Sequence, residues 1–123
     1  MLRSLKRWLD PWSVPHFLFG MVLALAGITF YWPLVVTFLA LVILAFLWEY
    51  IERQVGIHES KGNPKMDVVL PILAFWATFL LVDRAPLHKE QHMALFICVL
   101  LLFIFLNLVA WRARLQKEKG FLR

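Results

Sequence analysis

The chain has 123 residues, 62% of them hydrophobic, with a formal charge of +5 and a pI of about 9.8. A soluble domain is typically about 45–50% apolar, and a body this small buries too little surface to hide the excess. This composition excludes a disordered chain, a disulfide scaffold and an ordinary soluble enzyme, and it points to an all-α integral membrane protein.

Four apolar runs follow one another, each close to the roughly 20 residues that cross a bilayer core. They cover Ser13 to Trp32, Leu34 to Arg53, Pro64 to Asp83 and His92 to Trp111. The expectation is one transmembrane domain over 1–123, a four-helix bundle with short loops. Ser13, or Asp10 before Pro11, suits the N-cap of the first helix. Tyr31-Trp32-Pro33 reads as a tight turn. Asn63-Pro64 reads as N-cap and first helical residue of the third helix. Pro71 falls inside that helix and is expected to kink it. A signal peptide over the first segment, cut after Ala26, is the rival reading; the apolar run continues past that point to Trp32.

Basic residues set the expected orientation. Arg3, Lys6 and Arg7, then Arg53, Lys61 and Lys65, then Arg112, Arg114, Lys117, Lys119 and Arg123 fall on one side. Only Arg84 and Lys89 fall on the other. The positive-inside rule then places both termini in the cytoplasm. Trp8, Trp12, Trp48 and Trp111 near that face, with Tyr31 and Trp32 near the other, fit interfacial aromatic belts. Because the basic residues flank apolar runs, their expected partners are anionic lipid headgroups rather than nucleic acid.

The informative residues are those out of place in oil. His16 lies three residues into the first run, and Asp67 three into the third. Glu49 lies four residues inside the end of the second run, with Glu52 at its edge. Asn107 lies four residues from the end of the fourth. At 1.5 Å per residue, each helix thus puts a polar group roughly 5 Å below the same surface. Ionisable groups in a membrane are costly and face the bundle interior, so the carboxylates need a cation in their midst. A protonated His16, a divalent metal ion held by nitrogen and oxygen ligands, or a positively charged substrate group supplies one. Taken alone, Glu52 reads as a solvated edge charge and Asn107 as an interhelical hydrogen bond. Glu49 and Asp67 taken alone read as ion pairs with loop cations.

Gly20, Ala24 and Gly27 form a stripe of small residues on the first helix, on the face that carries His16. On the other side His88 and His92, near Asp83 and Glu90, read as a solvated loop rather than a zinc site. A transmembrane haem is not expected, since His16 and His92 lie at opposite faces. Cys98, in an apolar run, reads as a small hydrophobe.

Asp10-Pro11-Trp12-Ser13 leading to His16-Phe17 and Gly20, then Trp48-Glu49 and Glu52, then Glu59, Gly62-Asn63 and Asp67 form an ordered series. In this it resembles the VanZ-like and YjdF-like families of small bacterial membrane proteins, over roughly residues 10–75. The resemblance implies a polytopic protein with an envelope role, after the glycopeptide resistance of the name-giving member. It also implies that His16, Glu49, Glu52, Asn63 and Asp67 act as a unit. The chain departs from it in two places: YjdF-like proteins carry aspartate where Asn63 stands, and VanZ-like proteins often have Gln in place of Glu52.

Three functions compete on these grounds. The first is a cytoplasm-facing site that binds a divalent cation, a lipid-type polar headgroup, or both. The second is an accessory subunit of a larger membrane complex, against which migration as a bare monomer or homodimer would count; a homo-oligomer is a separate partner expectation. The third is an ion or proton path, for which only Thr29, Thr37 and Thr78 lie between the polar layer and the far side.

Overall fold

The computed structural model describes residues 13–54 and 63–121, with side chains over 13–54 and 66–112. Asp10 lies outside the described residues. Over the described residues the fold is an all-α four-helix bundle of α1 (Ser13–Thr29), α2 (Leu34–Gln54), α3 (Asn63–Arg84) and α4 (Lys89–Phe121). By length and composition Leu34–Gln54, Met66–Arg84 and Lys89–Arg112 are long and apolar enough to cross a membrane.

α1 has only 17 residues, about 25 Å of helix against a hydrocarbon core of about 30 Å. It ends three residues before the apolar run does. Tyr31 takes a left-handed conformation, φ 57°, and the Trp32 amide donates to the Gly27 carbonyl at 3.0 Å. That bond, six residues closed to one, caps the helix in a Schellman turn, and Pro33 follows. Glycine is usual at the left-handed position; here an exposed tyrosine fills it, its ring 5.8 Å from the Lys89 ammonium. α4 begins earlier than its apolar run. The His88 carbonyl accepts from the Gln91 and His92 amides, and the Gln91 side chain reaches back to the His88 amide at 2.8 Å. This is the glutamine half of a capping box. α4 then continues well beyond Trp111.

α1 is the hub, packed against all three other helices. Its longest seam is with α3, which runs parallel to it. Along this seam His16 meets Asp67, and four residues on, Gly20 meets Pro71. Four further on, Ala24 joins Phe75 and, from α2, Leu41 in the buried core. The stepping by four on both helices is the ridge along which helix surfaces interlock. A Cβ at Gly20 would run into the Pro71 carbonyl oxygen, with its carbon at 2.8 Å and Cα at 2.9 Å. Only glycine permits that crossing, which has the form of a Cα–H···O contact between helices. α3 remains helical through Pro71. Proline has no N–H, so the turn from Asp67 to Pro71 is closed without the usual amide bond.

Candidate metal centre

Three helices deliver the polar side chains to one end of the bundle. Pro15 sits in the first turn of α1, where its missing N–H costs nothing, and the next residue, His16, points inward. Glu49 and Glu52 are three apart on α2 and share its inner face. Asp67 comes from the first turns of α3, one turn below the Gly20–Pro71 crossing. That crossing therefore sets how close His16 and Asp67 stand.

One nitrogen or oxygen from each of His16, Glu49, Glu52 and Asp67 lies within 4.8 Å of every other. All four residues are buried, with exposures of 1%, 7%, 2% and 0%. His16 Nε2 is 3.5 Å from Asp67 Oδ2. That is longer than a charge-assisted hydrogen bond of about 2.7–2.9 Å. It suits two neighbouring ligands of a shared ion. Donors on opposite sides of one ion, each about 2.0–2.4 Å from it, stand about 4–5 Å apart, which the 4.8 Å limit on the cluster also meets. Three carboxylates and one imidazole, with no thiolate, form a set for a hard or borderline divalent ion. Charged carboxylates in a buried site are costly unless a proton or a cation among them neutralises the charge.

Around these residues stands an aromatic wall. The Trp48 ring is 4.6 Å from the His16 ring, 5.9 Å from Phe19 and 6.1 Å from Phe103 of α4. Its indole N–H donates to Glu52 Oε1 at 2.8 Å. Sequence alone assigns Trp48 to an interfacial belt; in the structure its half-buried side chain also touches two members of the cluster. The signal was present in the i,i+4 spacing of Trp48 and Glu52, which places both on one helix face.

Glu52, which taken alone reads as an edge charge, joins the polar group as expected, enclosed beside Trp48. One expectation is corrected. Asn107 does not bridge helices through its amide nitrogen, which donates at 2.8 Å to the Phe103 carbonyl one turn back in α4. A side-chain amide satisfies itself this way whenever its own helix offers a carbonyl in reach. The contribution of α4 at this level is thus aromatic, through Phe103. Ser13 is buried at the start of α1, and Asn63 opens α3.

The threonines inside the bundle do not extend the polar layer. Thr29 Oγ1 donates to the His92 carbonyl at 3.3 Å, and Thr37 Oγ1 donates to the Pro33 carbonyl at 2.9 Å. Both hydroxyls serve helix ends far from the cluster, and the Ala24, Leu41 and Phe75 core lies between. At that far end His88 and Asp83 are exposed and His92 is half-buried. Among the described residues, the His16 cluster is the group of His, Asp and Glu side chains gathered closely enough to hold an ion. Comparison with protein-family models, curated proteins and solved structures finds no match for the chain.

Proposed function

We propose that this is a small integral membrane protein that binds a divalent cation between His16, Glu49, Glu52 and Asp67. In this reading it lies in a bacterial inner membrane with both termini in the cytoplasm, as the distribution of Lys and Arg suggests. The centre then faces the inner leaflet, about one helical turn below the start of α1. Four protein ligands leave one or two positions on a five- or six-coordinate ion, and an oxygen of a lipid-type polar headgroup reaches them at that depth. The resemblance to VanZ-like and YjdF-like proteins agrees with this unit of residues and with an envelope role.

The observation that carries the reading is the convergence of four buried donors from three helices within 4.8 Å. The test is metal analysis of the full chain, purified in mild detergent and equilibrated with Mn²⁺ or Zn²⁺. Wild type is expected to hold about one ion per chain, and Glu49→Gln and Asp67→Asn are each expected to lose it while keeping their helical content. Each amide keeps the shape of the carboxyl it replaces and relieves like-charge crowding among the three carboxyl groups of the empty protein, so loss of metal without loss of fold is the expected signature. Equal metal content in all three proteins rules the reading out.

A further inference from the structure

We propose that Trp48 is the positioning residue of this centre: its indole N–H holds Glu52 as a one-oxygen ligand and, through it, sets the affinity for the ion. The inference rests on the cation-binding reading above. It concerns a residue that offers no ligand atom of its own.

A carboxylate near a divalent ion has two ways to bind. With both oxygens it forms a four-membered chelate that takes two coordination positions; with one it takes a single position and its other oxygen needs a donor. Trp48 supplies that donor. The indole nitrogen is 2.8 Å from Glu52 Oε1, a full-strength hydrogen bond, and tryptophan can only donate. The bond occupies Oε1 and turns Oε2, also buried, into the ligand oxygen. Donors placed behind metal ligands in this manner orient them, and their loss typically costs about 10–100-fold in affinity.

Two further contacts make Trp48 a rigid donor. Its ring packs edge-on against Phe19 of α1 and Phe103 of α4, which also touch each other at 6.0 Å, so a swing of the indole breaks contacts with two other helices. Its centroid is also 4.6 Å from that of His16, with the planes 44° apart. One side chain therefore fixes a carboxylate from α2 and flanks an imidazole from α1.

The experiment is a double-mutant cycle on Mn²⁺ binding, using the full chain in detergent with Trp48→Phe, Glu52→Gln and the double variant. Trp48→Phe keeps an aromatic ring and removes the N–H, and it is expected to weaken Mn²⁺ binding by about 10–100-fold. In the Glu52→Gln background, titrated to millimolar Mn²⁺ so that its weakened binding is still read, the same change is expected to cost less than about twofold, because the residue through which Trp48 acts has gone. A loss of equal size in both backgrounds overturns the proposal, as does unchanged affinity in Trp48→Phe. Should Trp48→Phe fail to fold, the indole N–H resonances of the ¹⁵N-labelled wild type decide the matter. One of them, identified by its movement in Glu52→Gln, is expected to shift as diamagnetic Zn²⁺ is added; a resonance that stays still overturns the proposal. Wild type that takes up neither ion overturns the cation-binding reading itself, whereas tight binding that is indifferent to Trp48 overturns only the role assigned to Trp48.

Discussion

α1 and α4 are both apolar helices, yet they live in opposite surroundings. Ten of the 17 residues of α1 are buried, while no described side chain of α4 is. Hydrophobicity does not produce this difference, since lipid tails are as apolar as leucine and do not drive oily side chains inward. Size and polarity do. α1 carries Gly20, Ala24, Ala26 and Gly27, which let neighbouring backbones approach, and Ser13, His16 and Thr29, which must be kept from lipid. α4 carries Leu, Ile and Phe at the corresponding depths, including Leu101, Leu102, Ile104 and Phe105, all exposed. The most enclosed helix is therefore also the shortest, because it does not need to present a full apolar surface to the bilayer.

The comparison breaks most readily at Gly20. A methyl group there meets peptide backbone at Pro71, which cannot rotate away as a side chain can. Gly20→Ala is expected to cost about 3 kcal/mol, the upper end for overpacking a tight core. Unfolding in mixed micelles of increasing denaturing-detergent fraction reads this directly. Because His16 and Asp67 lie one turn below the crossing on their respective helices, the same substitution should also weaken Mn²⁺ binding. Stability within 0.5 kcal/mol of wild type would mean that α1 and α3 do not cross as closely as described.

Gly27 tests the same helix under softer constraint. Its Cβ would meet Thr37 Cγ2 at 2.9 Å and Oγ1 at 3.0 Å, and these belong to a side chain. Thr37 is held, however, by its bond to the Pro33 carbonyl, and turning away sacrifices that bond. Gly27→Ala is therefore expected to cost about 1 kcal/mol, less than Gly20→Ala. Pairing it with Thr37→Ala, which removes the obstacle, should recover most of the loss in the same micelle titration. Failure of this rescue would place the strain elsewhere.

The sequence disclosed the polar cluster because charge inside an apolar run has few explanations. His16, Glu49 and Asp67 are visible by that contrast alone, and their common depth follows from counting residues. Glu52 is legible only through its i,i+3 spacing from Glu49, since at the end of a run a carboxylate taken alone reads as solvated; the bond from Trp48 to Glu52 shows only in the packing. Asn107 misled for a different reason. A half-buried amide finds a partner, but the partner lies in its own helix, and spacing does not distinguish the two. The early end of α1 was hidden because Tyr31 stands where glycine would have announced the turn. Nor does hydropathy order the helices from centre to rim, although the small-residue stripe on α1 does mark it as the one to be surrounded.

The smallest effect belongs to α4 and is the most direct check on its surroundings. Leu101 lies mid-helix with 61% of its surface exposed. If lipid covers that surface, truncation exchanges side-chain contacts with lipid for contacts with lipid that moves in behind, and little cavity remains to destabilise the fold. Leu101→Ala is then expected to change stability by less than about 0.5 kcal/mol, as for other substitutions away from packed sites. A neighbouring protein on this face would respond differently, since the vacated volume would persist as a cavity and cost about 2–5 kcal/mol, the range for buried leucine. That cost would be split between the fold and the association. The same micelle titration, repeated over a range of protein-to-detergent ratios, separates the two cases. An association-dependent loss on Leu101→Ala would show that the outward face of α4 packs against protein, and that the contrast between α1 and α4 is one of which chain supplies the neighbour.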